Sequence, residues 1–169
     1  VTYTFTFSKK VSNFTADDIT VSEGTKGTFT KISDTKYTIV VTHASDGAKT
    51  ITVAENVCTD VSGNNNTAKS LTNTVDTVKP AVTITKNTST SRTVTYTFTF
   101  SEAVTGFTAS GVTVSEGTKG TFTKVSDTKY TLVVTHASDG SKTVTVAAGS
   151  AKDSAGNTNV AKTLTHTIN

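Results

Sequence analysis

The sequence repeats itself with a constant offset of 93 residues. The octapeptide VTYTFTFS occurs at Val1–Ser8 and again at Val94–Ser101, and an ungapped alignment of residues 1–76 with 94–169 gives 52 identical positions. Copies this similar adopt the same fold, and each must bury its own apolar side chains. The repeat therefore predicts two similar domains, residues 1–76 and 77–169.

Threonine dominates the composition, with 41 of the 169 residues. Its β-branched side chain loses rotamer freedom in a helix but fits a pleated strand. Apolar residues alternate with threonine instead of being diluted by charge, which argues against disorder. The composition therefore predicts an all-β protein.

Turn signals interrupt this alternation about every 8 to 12 residues in the second copy, as in a β-sandwich. The interruptions are strings such as SEGTKG and ASDG, which suit hairpin turns. We predict seven strands: A at Ala81–Lys86, B at Thr93–Ser101, C at Gly111–Ser115, D at Gly120–Val125, E at Lys129–His136, F at Lys142–Ala147 and G at Ala161–Ile168.

Strands B and E have the clearest division into two faces, because every second residue is apolar and the residues between them in strand B are threonines. One face of each strand should line the core. The inward residues are predicted to be Val94, Tyr96, Phe98 and Phe100 in strand B, and Tyr130, Leu132 and Val134 in strand E.

The first copy begins directly at strand B, so no segment equivalent to strand A precedes it. In the second copy, strand A places Val82 and Ile84 on one face and Thr83 and Thr85 on the other. We therefore expect the first copy to expose a sheet edge with unpaired backbone groups and to accept an extended segment by β-strand addition, either from a neighbouring subunit's terminus or from a preceding repeat of the natural sequence.

Several longer strings resemble the bacterial immunoglobulin-like repeats of large surface proteins and adhesins. They are VTYTFTFSEAVTGFTASGVTVSEGTKGTF, YTLVVTHASDGSKTVTVAAG, AKDSAGNTN and the junction VDTVKPAVTI. The resemblance implies two tandem seven-stranded Greek-key sandwiches, the first without its own strand A. It also implies export, tandem arrays and, often in such repeats, Ca²⁺ at the junctions, and it does not imply an enzyme.

Charge and cysteine content exclude other classes of function. The net charge is +3, but the basic residues are scattered singly among Thr and Ser, so no phosphate-binding stripe forms and nucleic acid is not an expected partner. No apolar run approaches the roughly 20 residues of a membrane helix, so no membrane insertion is expected. The single Cys58 excludes an intramolecular disulfide, and its side chain could be buried or exposed.

The residues that could suggest catalysis are better explained as turns. His43 and His136 each precede Ala-Ser-Asp-Gly, which puts Ser138 and Asp139 close to His136 in sequence. Neighbours in a tight turn splay outward, so we expect a surface turn and not a hydrolytic triad. His166 is expected to be an exposed strand residue. No catalytic residue is predicted.

Hard oxygen ligands converge on the junction in the sandwich topology implied by the resemblance, because loops after strands B and F lie at the pole where strand A begins. Such ligands suit Ca²⁺, although ordinary solvated loop carboxylates give the same pattern. Lys9 stands where the second copy has Glu102, which puts an equivalent site in the first copy in doubt. The candidate Ca²⁺ ligands are Asp76, Glu102, Asp153, Asn157 and Asp46.

Three functions follow from these observations. The first is a non-enzymatic extracellular module in the stalk of a bacterial surface protein or adhesin, in contact with neighbouring repeats and rigidified by Ca²⁺ at the junction. The second is a subunit of an extracellular filament, joined by strand donation into the incomplete first domain. The third is a module that binds glycan or ice through its Thr-rich faces.

Overall fold

The computed structural model describes residues 1–87 and 92–169. The chain forms two compact units, Val1–Thr77 and Val78–Asn169, called here the first and second units. Two short 3-10 turns, Ala16–Asp18 and Ala109–Gly111, interrupt the strands. No helix in the described part is long and apolar enough to cross a bilayer.

The described residues of the second unit form seven strands in two antiparallel sheets. One sheet has the order β12-β13-β10-β9 and the other β11-β14-β15. This is the four-plus-three arrangement of an immunoglobulin-like sandwich, with strands A to G in chain order. The strands are β9 at Val82–Lys86, β10 at Thr93–Phe100, β11 at Val112–Val114, β12 at Thr118–Lys124, β13 at Lys129–Thr135, β14 at Gly140–Val146 and β15 at Lys162–Ile168.

The first unit repeats this arrangement without a strand equivalent to β9 among its described residues. Its sheets have the orders β1-β5-β4 and β3-β6-β8, and β2 pairs with β7. The strands are β1 at Thr2–Thr6, β2 at Val11–Ser12, β3 at Ile19–Val21, β4 at Thr25–Lys31, β5 at Lys36–Thr42, β6 at Gly47–Val53, β7 at Thr59–Asp60 and β8 at Lys69–Val75.

The predicted strands and inward faces of the second copy agree with the structure to within about two residues. All seven predicted inward residues of strands B and E are buried. Strand D begins at Thr118, two residues before the predicted Gly120, because a register shift between Lys119 and Phe122 lets the pairing with β13 continue through the glycine.

An aromatic residue from a loop completes each core. Phe107, in the connection after β10, packs edge-on against Phe98, Phe100 and Tyr130, with ring centroids 5.0 to 5.6 Å apart. Phe14 occupies the same place in the first unit and is also buried. These loop aromatics were not among the predicted core residues, because they belong to no alternating run.

At two of the loop positions that have a left-handed backbone, the two copies carry different residues. Asn13 has φ 66° where the second copy has Gly106 with φ 81°, and Asn56 has φ 63° where it has Gly149 with φ 74°. Asparagine is among the few non-glycine residues that tolerate this region. The loops therefore keep one backbone path although residues 9–18 and 54–67 differ most between the copies.

Candidate functional site

Asp153 is the most buried of the candidate ligands. It lies in the connection between β14 and β15 and is only 4% exposed. Its Oδ1 accepts a 2.9 Å hydrogen bond from the backbone N–H of Asn157, and its Oδ2 accepts one of 2.9 Å from the Asn157 side-chain amide. Burial by itself would raise the pKa of Asp153, but these hydrogen bonds outweigh it and hold the pKa below its ordinary value.

Glu102 brings a second carboxylate to the same place. It follows β10 and is half-buried, and one carboxylate oxygen of Glu102 lies within 4.8 Å of one of Asp153. The preceding residue, Ser101, is held by two hydrogen bonds to Ala81. The Ser101 N–H donates to the Ala81 carbonyl at 2.8 Å, and the Ser101 Oγ accepts from the Ala81 N–H at 3.0 Å. The start of β9 and the end of β10 therefore hold Glu102 beside the Asp153 loop.

Asp46 and Asp76 belong to the first unit. Asp46, in the turn between β5 and β6, uses its Oδ1 to accept hydrogen bonds from the Thr77 N–H at 2.6 Å and the Thr77 hydroxyl at 2.5 Å. These bonds lower the pKa of Asp46. Asp76 is exposed and follows the last residue of β8, Val75. Asp46 thus fixes the end of the first unit, which is a structural task separate from metal binding.

In the first unit, the equivalent loop aspartate has an additional partner of opposite charge. Asp60, the equivalent of Asp153, accepts hydrogen bonds from Asn64 and also pairs with the Lys9 ammonium at 3.1 Å. The Asn64 hydrogen bonds, helped by Lys9, hold the pKa of Asp60 far below its ordinary value. Lys9 therefore supplies from the chain the positive charge that a bound cation would bring.

A buried asparagine in this loop was missed by the sequence reasoning. The Oδ1 of Asn159 accepts from the Ala151 N–H at 2.8 Å, and its amide donates to the carbonyls of Ala147 and Val160, each at 2.9 Å. Asn66 makes the equivalent bonds in the first unit. The available signal was that this asparagine is identical in both copies within a segment that differs at most of its positions.

The prediction that the histidine after strand E lies on the surface is wrong for His136. His136 is 2% exposed, and its Nδ1 donates to the Glu116 backbone carbonyl at 2.5 Å. The Tyr96 hydroxyl lies 2.7 Å from His136 Nε2 and 2.8 Å from His166 Nε2. Ser138 does not contact the imidazole but donates to the Glu116 carboxylate at 2.7 Å. The histidine is buried because it closes the end of the core, and these residues form no triad.

His166 also departs from its prediction, since it is half-buried and not exposed. With both imidazoles neutral, Tyr96 donates to His136 and accepts from His166, which leaves His166 Nδ1 buried without a hydrogen bond. Burial, with smaller contributions from Lys86 and His136, lowers the pKa of His166. Alternation placed the residue on the correct strand, but only the packed sandwich shows that Tyr96 reaches it.

Cys58 lies in the connection between β6 and β7 and is buried, which decides between the two possibilities left open by the sequence. Burial raises the pKa of its thiol. Ala151 occupies the same buried position in the second unit. Cys58 therefore acts as a small core side chain.

Comparison with known proteins agrees with the architecture. Residues 1–75 and residues 76–169 each match the family described as bacterial Ig-like domain. A comparison with curated proteins gave no match. The two family matches together cover the chain, and they confirm the prediction of an all-β tandem repeat of immunoglobulin-like domains. The chain belongs to the bacterial Ig-like domain family.

Proposed function

We propose that this chain is a non-enzymatic structural segment of an extracellular bacterial stalk or adhesin, in which each unit serves as one spacer. The observation that carries the proposal is that two matching units, each with its own buried core, follow one another with only residues 76–81 between the strands β8 and β9. A connection this short leaves little flexible linker between successive repeats, as a spacer requires.

Calcium is the proposed rigidifying ligand. Ca²⁺ takes six to eight oxygen ligands, and the neighbouring Glu102 and Asp153 carboxylates offer a hard, anionic start to such a site. Asn157, bonded to Asp153, can add its amide oxygen. Asp76, four residues before Pro80 in the sequence, is the further carboxylate of the proposed ligand set.

Asp46 is the weakest member of the proposed ligand set. Its Oδ1 already accepts two hydrogen bonds from Thr77, and a metal would have to compete with them or use the other oxygen. We therefore assign the site mainly to the Asp153 loop and its neighbours, with Asp46 dispensable.

The comparison between copies supports a cation in the second unit and not in the first. Lys9 neutralises Asp60 in the first unit, whereas the second unit has Glu102 at the position of Lys9. Exchanging lysine for glutamate changes the local charge by two, and two neighbouring carboxylates favour a bound divalent cation by simple electrostatics.

A reciprocal exchange tests the calcium proposal. Scanning calorimetry of the full chain in chelator and in Ca²⁺ should show stabilisation of the second unit, by about 2.7 kcal/mol at 100 times the dissociation constant. Glu102→Lys should abolish this response, and Lys9→Glu should create one in the first unit. Asp46→Asn is the matched control and should leave the response in place. Identical unfolding curves in chelator and Ca²⁺ for the unaltered chain would overturn the proposal.

The stalk proposal is tested separately by size and shape. A spacer segment should be monomeric in size-exclusion chromatography with light scattering. Its small-angle scattering profile should indicate a more extended particle in Ca²⁺ than in chelator. A concentration-dependent polymer would instead favour the second candidate function, a filament joined by strand donation.

A further inference from the structure

We propose that the second unit contains an acid-sensitive contact, in which Tyr96, His136 and His166 hold strand β15 against the core only while both imidazoles are neutral. Uptake of one proton by His166 breaks this contact and opens β15 locally. The first unit has Asn73 at the position of His166, so the response belongs to the second unit. The inference concerns regulation and goes beyond the spacer and calcium proposals.

Three side chains from separate elements meet at this contact. Tyr96 lies on β10, His136 follows β13, and His166 lies on β15. The Tyr96 hydroxyl is 2.7 Å from His136 Nε2 and 2.8 Å from His166 Nε2. The ring centroids are 5.4 to 6.0 Å apart, and each pair of rings packs edge to face. Since β10 and β15 belong to different sheets, the contact joins the two layers of the sandwich.

One backbone hydrogen bond determines where the protons of this network lie. His136 Nδ1 is 2.5 Å from the Glu116 carbonyl oxygen, which can only accept, so Nδ1 carries the proton of neutral His136. The Tyr96 hydroxyl then donates to His136 Nε2 and accepts from His166 Nε2–H. Neutral His166 is left with an unprotonated Nδ1, which is buried and has no hydrogen-bond partner among the described residues.

An added proton binds at this Nδ1 and creates a buried donor without an acceptor. The neighbouring cations oppose it, because Lys142 on β14 is directly opposite His166 in the strand pairing and the charge of Lys86 on β9 also acts on the imidazole. Burial, Lys86 and His136 together lower the pKa of His166. Lys162, on the same strand as His166, is exposed.

The acidic side chains beside this cluster are already paired with other cations. The Glu116 carboxylate accepts from Lys142 Nζ at 2.6 Å, and the Asp139 carboxylate accepts from Arg92 Nε at 2.8 Å. The printed partner of His166 is instead the neutral Tyr96 hydroxyl. The folded cluster therefore offers the imidazolium no compensating negative charge of its own.

The position of His166 determines which part of the unit opens. His166 is half-buried, whereas Tyr96 is completely buried and His136 is nearly so. The imidazolium therefore reaches water by leaving Tyr96, and the bond between Tyr96 and His136 stays in place. His166 lies on β15, so this movement loosens the pairing of β15 with β14 while β10 and β13 remain folded.

The first unit keeps the part of the cluster that does not take up this proton. The Tyr3 hydroxyl lies 3.1 Å from His43 Nε2, and His43 Nδ1 lies 2.5 Å from the Glu23 carbonyl oxygen. Asn73 takes the place of His166 and is opposite Lys49 in the pairing of β6 with β8. An amide does not titrate in this range. His166→Asn therefore introduces a residue that the same fold already accommodates.

Nuclear magnetic resonance of the unaltered full chain in chelator tests the proton positions and the opening. At pH 8, His136 should be the Nδ1–H tautomer and His166 the Nε2–H tautomer. Because the folded state lowers the pKa of His166, the contact is complete above about pH 6.5 and weakens as pH falls below it, by up to about tenfold per pH unit for one proton. Between pH 7.5 and 5.0, the protection of the β15 amides against hydrogen exchange, corrected for the intrinsic rates, should fall at least tenfold.

Two matched histidine variants assign the response to its source. His166→Asn should limit the loss of β15 protection over the same pH range to less than threefold. His43→Asn makes the same substitution in the first unit and should leave the β15 response unchanged. The tautomer and exchange measurements on the unaltered chain need no variant, so they test the proposal even if a variant does not fold.

Four results would overturn the proposal. They are an Nε2–H tautomer of His136 at pH 8, a loss of β15 protection below tenfold in the unaltered chain, a loss of threefold or more in His166→Asn, and an equal loss of protection in β10 and β13. The last result would indicate unfolding of the whole unit instead of local opening. All of these measurements are made in chelator, so they are separate from the calcium response.

Discussion

Replacing Asn159 with alanine should destabilise the second unit more than any loop substitution that leaves the core intact. Its side chain is 2% exposed and forms hydrogen bonds to three backbone groups, the Ala151 N–H and the carbonyls of Ala147 and Val160. Alanine cannot form these bonds, so the Ala151 N–H and the Val160 carbonyl lose this partner inside a packed loop, and the Ala147 carbonyl keeps only the Ser150 hydroxyl at 2.8 Å.

The three bonds set the magnitude. Each is 2.8 to 2.9 Å long, and a hydrogen bond of this kind contributes about 1 kcal/mol to the free energy of unfolding. Asn159→Ala should therefore lower the stability of the second unit by about 3 kcal/mol. For a domain of this size, such a loss should reduce its melting temperature by roughly 12 to 24 °C.

Scanning calorimetry of the full chain measures the shift, and hydrogen-exchange mass spectrometry in increasing urea assigns it to β10 and β14. Asn66→Ala should produce a comparable loss in the first unit, because the same bonds are made there. Thr158→Ala, at an exposed neighbouring position, is the control and should have little effect. A loss below 1 kcal/mol for Asn159→Ala would refute the reasoning that this residue fixes the loop.

Three further changes test separate parts of the structure. Cys58→Ala should lower the free energy of unfolding by less than about 1 kcal/mol in a denaturant titration, because Ala151 fills the same buried site in the second unit. Because burial raises the pKa of the Cys58 thiol, a thiol reagent should modify the unaltered chain only as it unfolds. Burial lowers the pKa of His166, so the folded state disfavours its protonation; the melting temperature of the second unit should fall as pH drops below about 6.5, and His166→Asn should weaken that fall. Gly117→Ala should destabilise the second unit measurably in calorimetry, because the backbone there has φ 139° and a Cβ would lie 2.9 Å from the Thr135 carbonyl oxygen.

The strands could be predicted from sequence because apolar residues recur at every second position along them. Val94, Tyr96, Phe98 and Phe100 are all buried as alternation requires. Burial at the end of a strand obeys a different rule: His136 follows the last residue of β13, yet Tyr96 and the Glu116 carbonyl enclose it from other elements. No local pattern encodes those neighbours.

The loops were predicted in kind but not in detail, for a related reason. Residues such as Asn159 act on backbone groups several positions away, and an asparagine in a loop is equally suited to a solvated turn. The Glu102 and Asp153 pair could be anticipated only because the resemblance supplied a topology in which the loops after strands B and F meet. The proximity of these two carboxylates depends on that topology and not on their spacing in the sequence.

The two copies differ mainly in two loop segments, residues 9–18 and 54–67, where substitutions leave the core strands unchanged. Both keep the alternating core strands, the buried loop asparagine and the left-handed loop positions, which are the features that each sandwich needs. The exchange of Lys9 for Glu102 lies beside a loop aspartate that both copies retain. The lysine balances the charge of that aspartate from within the chain. On the calcium proposal, the glutamate instead recruits a cation from solution, and one substitution decides which repeat responds to its surroundings.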